Sequence, residues 1–215
     1  MKIRYYFYIS ASVLLIILAY KAVRKPSKDN LAQQFPSIVR LHNAKTGYFF
    51  CSGVVISDDV ILTAAHCIAK GEKDKEPVDI VVKSPAKPLA SWYAKAGNYS
   101  ERADVGIIYG NFKGLPRMPI ETDANEVHDQ LTQSYGNVVA CGFPYGGKLT
   151  CSKVENSGRF GFYYGGKGFL FPGMSGGPVI NLDTGAVVAV NSAVDGEYIF
   201  VAPLIELQDM LNVKF

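Results

Sequence analysis

Seven residues, Pro172-Gly173-Met174-Ser175-Gly176-Gly177-Pro178, constrain this chain more tightly than any other stretch. A single serine stands among residues that either loosen or fix the backbone. Gly173, Gly176 and Gly177 accept positive φ and let another group approach the main chain closely. Pro178 stops the turn and opens the apolar run Val179-Ile180. A tight turn leading into a strand can expose a hydroxyl and aim backbone N–H groups at one point. Those are the two requirements of an acyl-transfer site, a nucleophile and donors for a developing oxyanion. On its own such a cluster also reads as an ordinary loop.

Two further stretches bear on that choice. Cys51-Ser52-Gly53-Val54-Val55-Ile56 leads through Asp58-Asp59 to Val60-Ile61-Leu62-Thr63-Ala64-Ala65-His66-Cys67, so a histidine follows an apolar strand and adjoins a cysteine. Ala103-Asp104-Val105-Gly106-Ile107-Ile108 sets an acid at the entrance of an apolar run. The order His66, Asp104, Ser175 is one of the chain orders in which a Ser-His-Asp triad occurs. Taken together, Thr63-Ala64-Ala65-His66-Cys67, the Asp104 context and Ser175-Gly176-Gly177-Pro178 resemble the trypsin-like serine proteases of the chymotrypsin fold, over about residues 35–215.

The resemblance implies roles. Ser175 is the nucleophile, His66 the general base and then acid, and Asp104 the residue that orients the imidazole and stabilises its charged form. The N–H groups of Gly173 and Ser175 form the oxyanion hole. Phe169, six residues before the nucleophile, falls at the base of the specificity pocket, followed by Leu170 and Phe171; an apolar pocket is expected, with no counter-charge for Lys or Arg. Val190-Asn191-Ser192-Ala193 resembles the strand beside the substrate in the bacterial HtrA-type branch, and Asn191, Ser192 and Ala193 are assigned to substrate binding. The chain as given leaves no residues beyond Phe215 for the peptide-binding PDZ domain of that branch. Met174 replaces the aspartate that, in trypsin-like digestive enzymes, pairs with a newly freed N-terminus, so no zymogen cleavage is expected. A catalytically silent binding or scaffolding domain is the alternative function, and an esterase or transferase on the same triad a third. His42 and His128 lack such contexts and read as surface residues.

Four cysteines, Cys51, Cys67, Cys141 and Cys151, allow three pairings. The resemblance implies Cys51 with Cys67; Cys141 and Cys151 are placed to close a second hairpin. No Cys-x-x-Cys spacing supports zinc, and neither metal nor cofactor is expected. Disulfides imply an oxidising compartment. A net charge of +3 with scattered basic residues gives no case for nucleic acid. The expected partner is a protein or peptide substrate.

Along the chain, residues 1–4 are short and basic. Tyr5 to Val23 is long and apolar enough to span a bilayer as a helix, with tyrosines at its ends; a cleaved signal peptide is the rival reading. Residues 24–34 read as a tether. Residues 35–112 read as a first barrel, 113–130 as an irregular connection, and 131–215 as a second barrel with a C-terminal helix in which Leu204, Leu207 and Leu211 share a face. Twenty-one glycines and 25 tyrosines plus phenylalanines suit many short strands and turns. The expected fold is all-β: two packed six-stranded antiparallel Greek-key barrels, chymotrypsin-like, preceded by an N-terminal transmembrane helix. The cysteines place the protease domain of such an anchored protein on the periplasmic or extracellular side.

Overall fold

The computed structural model describes residues 34–69, 79–133 and 137–212. The anticipated membrane segment, the short end before it and nearly all of the tether lie outside these residues, as does the charged loop at 70–77. No helix among the described residues is long and apolar enough to cross a membrane.

The first half is the closed six-stranded barrel its sequence predicts. Its strands are β1 (Ile38–Asn43), β2 (Phe49–Val55), β3 (Val60–Thr63), β4 (Asp79–Lys83), β5 (Trp92–Ser100) and β6 (Val105–Gly110), closed in the order β1-β2-β3-β6-β5-β4. β-Branched and other apolar side chains line the interior: Val39, Leu41, Val55, Ile61, Ile80, Val82 and Ile108, plugged by Phe112. β3 buries all four of its residues, Thr63 included. The short helix α1 (Ala65–Ile68) follows at once and carries His66.

The second half departs from a six-stranded barrel. It is a seven-stranded sheet, β8-β7-β11-β12-β13-β10-β9. The strands are β7 (Val138–Gly142), β8 (Thr150–Lys153), β9 (Glu155–Phe160), β10 (Tyr163–Lys167), β11 (Pro178–Asn181), β12 (Val187–Asp195) and β13 (Tyr198–Pro203). Its two edge strands, β8 and β9, are separated in sequence only by buried Val154, whose N–H donates to Val138 O at 3.0 Å. The chain itself, rather than a hydrogen-bonded ladder, therefore joins the two edges. Residues 159–164 do not form one continuous strand. Gly161, at φ +64°, turns the chain and splits the run between β9 and β10.

The connection also differs from expectation. Residues 111–123 are irregular but pinned to both halves: Phe112 N–H to Asp58 O and Met118 N–H to Val55 O on one side, Val187 N–H to Pro119 O and Glu121 N–H to Val187 O on the other. Helix α2 (Ala124–Gln133) follows, where an irregular segment was expected. Asp123 Oδ1 accepts the N–H groups of Asn125 and Glu126, at 3.0 and 3.1 Å, and caps the helix. Val127 and Leu131, one turn apart, anchor it to the second core with Val138, Val179, Val188, Ile199 and Val201. A 3-10 turn (Leu204–Glu206) and α3 (Leu207–Asn212) form the expected C-terminal helical segment.

Both disulfides form as anticipated, Cys51–Cys67 and Cys141–Cys151. The second joins residues directly opposite on β7 and β8. The first ties β2 to α1 across a sequence separation of 16. Closing a loop of that size is worth about 3 kcal/mol on the chain-entropy account. Non-reducing peptide mapping should recover Cys51 joined to Cys67. A Cys51→Ala/Cys67→Ala variant should lose about that much stability in urea unfolding; a variant as stable as the parent would show that the bond does not constrain the unfolded chain.

Candidate active site

The turn anticipated around Ser175 lies between the end of β10 and the start of β11 and packs on the first barrel. Gly176, at φ +74°, comes so near that a Cβ there would lie 2.8 Å from Ala64 N and 2.6 Å from Ser52 O. Gly173, at φ +92°, is pressed against Phe49 and Phe143 O. Both positions need left-handed backbone and no side chain, so they are glycine for two reasons at once. Ser175 is thereby set against the segment that leads into His66. Among the described residues its hydroxyl makes no hydrogen bond, so the two turns are adjacent without a bonded contact between the serine and histidine side chains. Such contacts are often long before substrate arrives.

The peptide planes of this turn have definite directions. Pro172 O accepts the Tyr145 N–H at 2.7 Å, and Met174 O accepts the Gly177 N–H at 3.0 Å. A trans peptide points its N–H opposite to its carbonyl. With these two carbonyls turned toward the protein, the N–H groups of Gly173 and Ser175 face away from it. Neither has a partner among the described residues. Met174, fully buried, fills the inside of the turn, and its Sδ receives the Phe171 N–H at 3.4 Å. The carbonyl side is thus occupied and the two donors remain open, which is the disposition an oxyanion requires.

His66 and Asp104 are in direct contact. Asp104 closes the four-residue turn between β5 and β6 at φ +51°, a left-handed conformation that aspartate tolerates better than most side chains. Its Oδ1 accepts the His66 backbone N–H at 2.9 Å, and its two oxygens lie 3.1 and 2.9 Å from His66 Nδ1. Ser192 Oγ donates to Oδ2 at 2.5 Å. Burial is the largest single influence on the carboxyl and acts upward. The hydrogen bonds from the His66 ring, Ser192 and the His66 backbone, with the histidine charge, together outweigh it and hold Asp104 below its ordinary value. An ionised carboxylate only accepts, so His66 Nδ1 must carry its proton, leaving Nε2 of the neutral ring as the free acceptor. The imidazole is about half exposed, and Asp104 lies behind it.

The residues expected in a substrate pocket separate into different roles. Asn191 does not line one: it is fully buried, and its Nδ2 donates to Cys141 O at 2.8 Å and Met174 O at 3.0 Å. Its place on β12 turns it toward the Ser175 turn. Ser192 spends its hydroxyl on Asp104. Ala193 is exposed on the same strand. Phe169 is 42% exposed, not enclosed at a pocket floor, because its N–H is drawn to Ser152 Oγ at the sheet edge. Leu170 packs against the second core. Phe171 is 43% exposed, with its ring 5.5 Å from Phe169 and 6.2 Å from Tyr145, so the three rings form an aromatic row beside the turn. Of the other histidines, His42 is half-buried and His128 is exposed, its Nδ1 2.8 Å from the Tyr164 hydroxyl.

Sequence reasoning missed Ser52. On β2, Ser52 accepts Phe143 N–H and donates its hydroxyl to Gly173 O at 2.7 Å. The signal was a polar residue inside a run that is otherwise apolar and fully buried, Cys51 to Val55. Among the described residues, Cys51, His66 and Cys67 offer three potential ligand atoms within 4.8 Å of one another. The two sulfurs are joined to each other, so this cluster presents a disulfide rather than a pair of thiolates.

The profile of the trypsin-like peptidase domain family matches residues 51–190. No curated protein matches the chain. Among solved structures, the inactive form of the Rv3671c protease aligns with a TM-score of 0.65 at 21% identity, covering 87% of this chain and 94% of that one. The active form of the same Mycobacterium tuberculosis protease aligns at 0.63 with 23% identity, over 87% and 86%. A serine endoprotease from Yersinia pestis aligns at 0.65 with 23% identity, over 87% of this chain and 66% of that one. At these identities the likeness is one of fold.

Proposed function

We propose that this chain, which belongs to the trypsin-like peptidase family, is a membrane-anchored serine endopeptidase that cuts peptide bonds with Ser175, His66 and Asp104. Family membership carries the serine endopeptidase activity; the residue roles, the anchor and the compartment are the proposed part. The observation that supports the roles best is the pair of outward N–H groups, Gly173 and Ser175, beside a histidine whose Nδ1 is bound to a buried carboxylate.

In this reading His66 Nε2 takes the Ser175 proton as Oγ attacks the scissile carbonyl carbon. The carbonyl oxygen becomes an oxyanion and is received by the Gly173 and Ser175 N–H groups. Asp104 stabilises the imidazolium that has formed. The imidazolium then gives its proton to the amine as the C–N bond breaks, leaving an acyl group on Ser175. Water, deprotonated by the same nitrogen, releases it. Phe169 and Phe171 favour apolar side chains near the cut. Two disulfides support an oxidising, periplasmic or extracellular compartment, and the apolar stretch from Tyr5 to Val23 supports attachment by the N-terminus.

No zymogen step belongs to this reading. Ile38 and Val39 are fully buried within β1, with Ile38 paired to Val54, and Met174 offers a new N-terminus no charge. An ammonium buried there would be unpaired and costly. The full chain carrying an extra N-terminal tag should label with a fluorophosphonate and cleave casein with the tag intact. A protein that takes no label and cuts nothing until it is nicked near Ser37-Ile38-Val39 would overturn the absence of activation. Labelling without casein cleavage would point to an esterase.

A further inference from the structure

We propose that Ser52 and Asn191 are positioning residues for the oxyanion site: two buried side chains, one from each half of the molecule, that hold the nucleophile's turn with its N–H groups facing outward. This rests on the assignment of Ser175 and the Gly173 and Ser175 N–H groups above.

The four consecutive carbonyls from Pro172 to Ser175 are all occupied. Pro172 O takes the Tyr145 N–H. Gly173 O takes the Ser52 hydroxyl at 2.7 Å. Met174 O takes the Gly177 N–H and, at 3.0 Å, an Asn191 amide hydrogen. Ser175 O takes the Ser52 N–H at 2.9 Å. Two of these bonds come from side chains, and both side chains are wholly buried.

Neither side chain has freedom to choose another arrangement. Ser52 Oγ has one proton. The Phe143 N–H, 3.0 Å away, can only donate to that oxygen, so the proton goes to Gly173 O. Asn191 Nδ2 has two hydrogens, and Cys141 O and Met174 O use both. The reversed amide would set an oxygen against two carbonyls, so the partners fix its orientation. The Asn191 main chain adds two bonds, from Gly176 N–H to its oxygen and from its own N–H to Gly177 O, each 2.8 Å.

Among the described residues Asn191 Oδ1 has no partner, and it is fully buried. An unsatisfied buried acceptor is destabilising, and an apolar side chain at this position would avoid it. What the amide provides instead is a second donor on the Met174 carbonyl. The Met174–Ser175 peptide is planar, so fixing that oxygen fixes the Ser175 N–H. Ser52 fixes the next peptide back, Gly173–Met174, which lies between the two peptides that carry the donors and so holds their relative direction. A flip of either unit must break a bond made in a dry interior, where an orphaned carbonyl is costly.

The test uses the full chain with Ser52→Ala, which keeps the main-chain bond to Ser175 O, and Asn191→Asp, which keeps the shape but turns the double donor into an acceptor. Active sites are titrated by the burst of acyl-enzyme on an activated ester. kcat per titrated site is then measured on a peptide substrate, together with inhibition by a peptide aldehyde, which needs the oxyanion donors. Each variant should lose roughly 10- to 100-fold in kcat per site, short of the full loss of a donor. KM should move less than about twofold, with aldehyde affinity falling in step with kcat/KM. If Asn191→Asp fails to fold, Asn191→Ala replaces it, and Ser52→Ala stands alone if neither folds. A reduced yield of titratable sites with parental kcat at each means that these side chains serve folding alone, and overturns the proposal. Ser175→Ala run alongside separates the two readings. If it stays active, the nucleophile is misassigned; if it is inert while the other variants keep parental kcat, only the positioning role fails.

Discussion

Ser175→Ala leaves the fold intact and removes turnover by about 10⁶-fold, the scale on which a triad nucleophile fails when its partners can no longer act. The reason the fold survives is local. The Ser175 hydroxyl bonds to nothing among the described residues, while its carbonyl and the neighbouring glycines carry the turn's contacts. Removing the oxygen therefore deletes chemistry and almost no structure. The purified variant should melt within a degree or two of the parent, take no fluorophosphonate and leave casein uncut. Retention of even a tenth of parental activity would falsify the assignment.

Asp104→Asn lowers kcat by about 10⁴-fold through the proton on the histidine. Oδ1 of Asp104 faces the His66 backbone N–H, so the amide that replaces the carboxylate must keep its oxygen there. Its NH2 then occupies the place of Oδ2, 2.9 Å from His66 Nδ1. A donor at that position forces Nδ1 to accept, which moves the ring proton to Nε2 and blocks the nitrogen that should receive the serine's proton. The same substitution has a signature in stability. Asp104 titrates below its ordinary value in the folded protein, so its ionised form stabilises the fold. That contribution is complete above the ordinary aspartate range, near pH 4. It is lost as pH falls further, through the lowered folded value. The stability difference between parent and Asp104→Asn, measured by urea unfolding, should be constant near neutrality and shrink on acidification below about pH 4. A difference that does not change between neutral and acid pH would mean that the carboxylate is not preferentially charged in the fold.

The parts of this molecule that were legible in the sequence are those where one residue type has one physical use. Gly173 and Gly176 sit where a Cβ has no room, and the turn they mark could be seen without coordinates. The apolar runs of β1, β2, β3 and β6 gave the first barrel, because each is short and bounded by turn residues. Other features were written less plainly. α2 was anticipated as irregular chain, although Asp123 stands three residues before Glu126, a capping pattern, and Val127 and Leu131 share a face. Gly114, Pro116 and Pro119 just upstream carry the stronger local signal, which is for irregular chain. The second half was expected to close like the first, but the bend at Val154 carries no turn residue and could not be foreseen.

The site's polar residues show the same division. His66, Asp104 and Ser175 are tied to short motifs. Asn191 and Ser192 are adjacent and point opposite ways from one strand, so sequence proximity suggested one shared role where there are two. Asn191 reaches back to Met174 and Cys141, and Ser192 across to Asp104. Nothing in the order of residues says which side of β12 is the interior; pairing with β11 and β13 decides it.

His66, Asp104 and Ser52 come from the first barrel, and Ser175, Ser192 and Asn191 from the second sheet. A ribosome delivers these groups in order, and the two sets are separated by the whole of the connection and α2. A nascent chain that has folded its first barrel holds the His66 imidazole and the Asp104 carboxylate but not Ser175. The Met174 carbonyl meets its Asn191 donor only once β12, whose last residue is Asp195, is in place. On the proposed roles, hydrolytic capacity therefore arrives only after β12 has been made. On that reading the cell that makes the chain is spared an active cutter until both halves have emerged.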